Sequence, residues 1–127
     1  MDQVFDELRT RFAKEPRVVV HRGMSSDVLR TFANAYFDWV YIDGNHSYDF
    51  IINDLRLCLE KTKPGGVIAG DDYMWESAGD YPVRRAVQVF VEENGLAETL
   101  TIVDSQFVIG LPTIDPSNAR SQSKLDD

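Results

Sequence analysis

Two short apolar runs, each ending abruptly in carboxylates and separated by a single amphipathic stretch, constrain this chain more than any other feature. Residues 37–42 (FDWVYI) run into Asp43-Gly44, and residues 67–70 (VIAG) run into Asp71-Asp72. A near-continuous apolar run stopped by a turn pair predicts a strand buried on both faces, with Asp43 at its carboxyl end. Between the runs, Ile51, Leu55, Cys58, Leu59 and Thr62 recur at helical spacing, and the pattern stops before Pro64-Gly65-Gly66. Asn45 and Ser47 precede that helix, and either can cap it. Strand, helix and strand in this order predict two neighbouring parallel strands joined by a crossover helix. Ligands bind at the carboxyl edge of open α/β sheets, and here that edge collects three carboxylates.

The rest of the chain alternates in the same way. Residues 2–14 place Val4, Phe5, Leu8 and Phe12 on one helical face and Arg9, Arg11 and Lys14 on the other. Glu15-Pro16 breaks that helix, residues 17–21 (RVVVH) read as a short strand, and Gly23 is a turn residue. Ser25 or Ser26 is expected to cap a second helix with Asp27 in its first turn and Val28, Leu29 and Phe32 as its stripe. Pro82 opens a third long helix, with Val83, Val87, Phe90 and Val91 on one face and Asn94-Gly95 at its end. Residues 99–103 and 106–111 are β-rich and meet at Asp104-Ser105, which predicts an antiparallel hairpin. The expected fold is one α/β domain over residues 1–112, a mostly parallel sheet covered by helices with an antiparallel pair at one edge. Residues 113–127 have no periodicity and are expected to form a mobile tail.

Charge narrows the partners. With 13 basic against 21 acidic residues, the formal charge of -8 argues against nucleic acid and against an anionic membrane surface. No apolar run is long enough to span a bilayer. The single cysteine, Cys58, lies on the apolar stripe of the crossover helix and reads as a small buried hydrophobe. Without a disulfide framework a reducing compartment is the default, so the expected location is cytoplasmic.

Asp43, Asp71 and Asp72, with Asn45 and His46 in the same loop region, are the residues that can carry chemistry. Carboxylates gathered this closely repel one another unless a cation sits among them, and hard oxygen ligands suit Mg²⁺ or Ca²⁺. Asp-Gly and Asp-Asp are also ordinary loop formers, so a purely turn-forming role stands beside the metal reading. His46 follows Asp43 by three residues, near enough to face the same crevice as a base, or to be a polar loop residue without function. His21 is given no role. Gly44-Asn45-His46 matches one element of binuclear metallophosphoesterases, but the other elements of that signature are absent or in the wrong order. Neither GxGxxG nor GxxxxGK[ST] occurs in the 127 residues.

The stretch YIDGNHSYDFIINDLRLCLEKTKPGGVIAGDDY resembles the second half of a class I S-adenosylmethionine-dependent methyltransferase, especially the metal-dependent O-methyltransferases and the methyltransferase-24 proteins. In that family the fourth strand ends in an IDG-like element, a helix leads to a KPGG turn, and the fifth strand ends in DD or DN. The resemblance implies a Rossmann-like methyltransferase sheet, with Asp43, Asp71 and Asp72 as ligands of Mg²⁺ or another divalent cation and His46 as general base. It further implies S-adenosylmethionine as cofactor, with Met24 packing on the adenine ring and Ser25 bonding its edge, and a small hydroxylated molecule such as a vicinal diol as substrate. The family's first two strands, with the glycine-rich loop and the ribose-gripping acid, have no counterpart here, so S-adenosylmethionine is expected to bind this chain weakly. A non-catalytic remnant or assembly module is the alternative. In the family the first strand lies beside the strand read at residues 37–42, which here is left with a free edge. Residues 17–21 are one candidate to fill the place, and a second copy of the chain is the other. The second copy is favoured, so a homodimer is expected.

Overall fold

A computed structural model describes residues 2–113, and among them, besides a short 3-10 turn at Ala97–Thr99, are four strands and four α-helices. They are α1 (Asp2–Arg11), α2 (Ser25–Arg30), β1 (Phe37–Ile42), α3 (Tyr48–Lys61), β2 (Thr62–Gly70), α4 (Pro82–Glu93), β3 (Leu100–Val103) and β4 (Gln106–Gly110). The strands form one mixed sheet in the order β1-β2-β4-β3. β1 and β2 are parallel, with Val40 opposite Ile68 and Ile42 opposite Gly70. β4 runs antiparallel to both β2 and β3, so the hairpin closes one side of the sheet as its turn chemistry requires.

Both long helices pack on the same face. The stripe Ile51, Ile52, Leu55 and Cys58 of α3 meets Val83, Ala86, Val87 and Phe90 of α4 over Ile68, Phe107 and Ile109 of the sheet. Full burial of side chains this large is the main stabilising term, roughly 1.5–3 kcal/mol for each Leu, Ile, Val or Phe. Cys58 belongs to this core, and burial pushes its thiol up to about 12. At the end of α3, Lys61 is only 7% exposed. Its ammonium donates to the Phe32 carbonyl at 2.8 Å and to Asn34 Oδ1 at 2.9 Å, which compensates the buried charge and ties the α2–β1 connection to α3.

Several expectations are corrected. Residues 17–21 do not form a strand: the Arg17 N–H and guanidinium bond the Glu15 carboxylate and the Val18 N–H bonds the Glu15 carbonyl, holding the start of the run in a turn after Pro16. The outer edge of β1 therefore has no strand partner among the described residues. Nor is β1 buried on both faces. Val40 and Ile42 pack against the core, whereas Trp39 is 65% and Tyr41 44% exposed, because α3 and α4 cover one side of the sheet only. Neither Ser25 nor Ser26 caps α2: Met24 occupies the N-cap position, and α2 has no fully buried residue. Ser47 does sit at the N-cap of α3, but without a side-chain capping bond. α1 ends at Arg11, three residues before its expected end, and leaves Val4 and Leu8 exposed. The expected tail, beyond its first residue Thr113, lies outside the described residues.

Gly70 closes the strand that leads into Asp71-Asp72. A methyl group there would run into the Phe107 ring and the Ile42 carbonyl oxygen. Gly70→Ala is therefore expected to lower the free energy of unfolding by about 1–3 kcal/mol, the range for overpacking a filled core. Urea unfolding checks this, and an unchanged midpoint would contradict the close approach.

Candidate functional site

The register of β1 and β2 places the carboxylates. Because Ile42 pairs with Gly70, the two strands end level, and the Asp71 N–H carries the ladder one step further by donating to the Ile42 carbonyl at 3.1 Å. Asp43 and Asp71 thus leave the sheet side by side. Asp72 then takes a left-handed backbone conformation (φ 65°), which an aspartate tolerates better than most residues. One carboxylate oxygen from each of Asp43, Asp71 and Asp72 lies within 4.8 Å of the other two. Asp43 is exposed and the other two are half-buried. Their effect reaches Tyr41: burial, then the negative charges of Asp71, Asp43 and Asp72, hold its phenol above the usual tyrosine range.

His46 joins the cluster from the loop between β1 and α3. In that loop the Ser47 N–H donates to Asn45 Oδ1 at 2.7 Å, a local turn of the kind Asn forms readily. His46 Nε2 lies 2.8 Å from Asp72 Oδ2. An ionised carboxylate can only accept, so Nε2 carries the hydrogen, and in the neutral ring Nδ1 keeps the lone pair. Asp72 retains its second oxygen for another partner.

A segment that sequence reasoning missed completes this region. The Trp75 N–H donates to the Asp72 carbonyl at 3.1 Å, and the resulting turn brings the indole onto His46, with ring centroids 4.3 Å apart and planes 33° from parallel. Beyond it, Ser77 and Asp80 exchange two backbone hydrogen bonds of 2.9 Å around Ala78 and Gly79, both at positive φ, which makes a tight two-residue hairpin turn. Asp80 is held below the usual carboxylate range, chiefly by its bond to Arg85. Between this segment and the Gly44–Ser47 loop lies a cleft of about 590 Å³ bordered by Asn45, His46, Ser47, Trp75 and Ser77. In the sequence, the only signal for Trp75 was its place three residues after Asp72.

Met24 and Ser25 stand apart from this cluster. Ser25 Oγ donates to the Asp54 carboxylate of α3, with its oxygens at 2.9 and 2.8 Å, and Met24 is half exposed. Burial pushes Asp54 above the usual carboxylate range, and the Ser25 bond works against that shift. Among the described residues no hydrogen bond joins Met24 or Ser25 to the three aspartates or His46. Of the six residues singled out from the sequence, four meet and two do not.

A family described as a methyltransferase domain matches residues 2–73. No curated protein matches the sequence. Among solved structures, a protein from Corynebacterium glutamicum superposes with a TM-score of 0.68 at 13% identity, over 91% of this chain and 57% of that one. The O-methyltransferase NovP gives 0.66 at 23% identity, over 89% of this chain and 45% of its own. A proposed O-methyltransferase from Klebsiella pneumoniae gives 0.61 at 24% identity, over 89% and 57%. At these identities the likeness is one of fold, and the chain spans about half the length of these structures.

Tyr41 offers a direct reading of the carboxylate charges. Its deprotonation, followed spectrophotometrically against Tyr41→Phe, should fall above the ordinary tyrosine range of about 10, and Asp71→Asn should bring it part of the way back. A raised value also means that stability is complete below the unfolded value of Tyr41 and is lost as pH rises from there through the folded value. An ordinary tyrosine titration, unmoved by Asp71→Asn, would show that these charges do not act on this phenol.

Proposed function

The chain belongs to the methyltransferase-domain family, and from that premise we propose that it serves S-adenosylmethionine-dependent, divalent-metal-assisted transfer of a methyl group to a hydroxyl of a small molecule. The observation that carries this reading is the convergence of Asp43, Asp71 and Asp72, with His46 bonded to the last of them.

The donor set suits the ion. Three carboxylate oxygens are hard ligands, and their mutual repulsion favours a divalent cation such as Mg²⁺ over vacancy or a soft metal. When bound, such an ion supplies Lewis acidity that lowers the pKa of a hydroxyl held beside it. The chain's own residues do the rest. His46 Nδ1 takes the proton of the substrate hydroxyl, and Asp72, accepting from Nε2–H, stabilises the imidazolium that results. The new bond from the substrate oxygen to the methyl carbon replaces the methyl–sulfur bond of the donor. For the donor itself, Met24 presents an apolar surface, whereas the Ser25 hydrogen is engaged by Asp54, which leaves its oxygen an acceptor only. A small hydroxylated substrate agrees with the charge of -8, which disfavours nucleic acid.

The same reading includes a second copy of the chain. The edge of β1, unpaired among the described residues, and the exposed Trp39 and Tyr41 of that strand favour edge pairing between copies, and light scattering should return a mass near twice 14.4 kDa. A monomer at high concentration would remove the dimer from the proposal and leave the site untouched.

Metal binding tests the proposal at its centre. Mg²⁺ or Mn²⁺ at a hundredfold excess over its dissociation constant should stabilise the fold by roughly 2.7 kcal/mol. Asp71→Asn should diminish that gain. A melting curve indifferent to millimolar metal would count against the three aspartates being a site.

A further inference from the structure

We infer that Trp75 is a positioning residue for His46, fixing the plane of the imidazole so that Asp72 can select its tautomer. The role of His46 as base rests on the function proposed above. The contact between the two rings does not.

The need for such a residue follows from where His46 sits. It lies in an irregular loop rather than on a helix or strand, and no backbone ladder orients its side chain. Among the described residues its one hydrogen bond, Nε2 to Asp72 Oδ2 at 2.8 Å, holds a single ring atom, so a ring that turns about its side-chain bonds carries Nε2 away from Oδ2 and loses the tautomer preference. A ring stacked on its face removes this freedom. The Trp75 indole does so at 4.3 Å and 33°, so one contact acts in the plane of the imidazole and the other perpendicular to it.

Both contacts come from the same short turn. The Trp75 N–H bonds the Asp72 carbonyl at 3.1 Å, and the positive φ of Asp72 sends the chain back over the loop that holds His46. The turn has an anchor of its own: the Tyr73 N–H donates to the Ser105 carbonyl at 2.8 Å, and the Met74 N–H to Ser105 Oγ at 3.3 Å. Tyr73 is buried and Trp75 is not, so the turn is fastened on the core side and offers its indole on the open side. His46 is then held with Nδ1 as the lone-pair nitrogen of a ring that borders the cleft.

The test reads the imidazole itself. In the 127-residue chain labelled with ¹⁵N-histidine, long-range proton–nitrogen correlations at one fixed pH report the tautomers of His21 and His46, the two histidines present. His46 should show a single tautomer protonated at Nε2 and ring protons displaced upfield by the indole relative to their positions in Trp75→Leu, with His21, itself edge-on to Phe32, as the control for any global change. Trp75→Phe should keep both signatures. Trp75→Leu, which preserves apolar bulk without a planar face, and Trp75→Ala should each lose the upfield displacement and give a mixture of tautomers, while His21 stays unchanged. A single Nε2–H tautomer that persists in Trp75→Leu or Trp75→Ala overturns the inference, as does a wild-type His46 without ring-current displacement. Mg²⁺ melting of the same proteins separates the two readings. Trp75→Leu should keep the metal response, and a wild type without that response sinks the metal site while leaving the tautomer result to decide the role of Trp75.

Discussion

The parallel pairing of β1 with β2 is the constraint on which the rest of this structure depends. Because Ile42 lies opposite Gly70 and the Asp71 N–H reaches the Ile42 carbonyl, the two strands stop at the same level, and the acids that follow them emerge together. A shift of one residue would send the side chains of one strand to the opposite face and separate Asp43 from Asp71. Gly70 belongs to the same constraint, since the Phe107 ring of β4 occupies the space in which any side chain would stand. What fixes the register is burial. Ile68, Phe107 and Ile109 point at α3 and α4 and cannot be turned outward without losing the core.

The antiparallel hairpin contributes more than an edge to the sheet. Its turn, with Asp104 at positive φ, brings Ser105 to the segment that follows β2, where its carbonyl and hydroxyl hold Tyr73 and Met74. Gln88 of α4 donates to the Tyr73 hydroxyl from the other side. The turn that carries Asp72 and Trp75 is thus fastened to elements far away in the chain. Among the described residues, the loop that carries His46 is held by its own Asn45 turn and by the contacts that Asp72 and Trp75 make to it.

Electrostatics divides the molecule into two regions. Lys61 shows how this fold treats a buried charge, with a carbonyl and an amide oxygen supplied at hydrogen-bond distance. The three aspartates are treated differently: they are left partly open to solvent, with like charges gathered and a single imidazole beside them. Under the function proposed above, a bound cation would offset the repulsion among those charges.

Much of this was legible in the amino-acid sequence by itself. The two runs ending in Asp43 and Asp71-Asp72, the 3.6-residue period of α3, Pro82 at the start of α4 and the turn at Asp104-Ser105 are local signals, and each became a strand, helix or turn at its place, although β1 is covered on one face only and β2 begins at Thr62, taking in the Pro64-Gly65-Gly66 stretch read as the helix stop. The nearness of Asp43, Asp71 and Asp72 also followed, because a crossover helix between parallel neighbours leaves little choice of where the strands end. Other features were decided only by the tertiary structure. Whether residues 17–21 become a strand depends on a partner edge and not on their β-branched composition, and the Glu15 turn left them without one. Whether Trp39 is buried depends on which face the helices cover, and whether Ser25 is a cap or a partner of Asp54 depends on how α2 meets α3. The bond from His46 to Asp72 spans 26 residues, and the stack of Trp75 on that imidazole needs the left-handed turn at Asp72. Periodicity and turn chemistry act over a few residues, whereas those contacts exist only once sheet register and helix packing have set the distances between segments that carry no signal of one another.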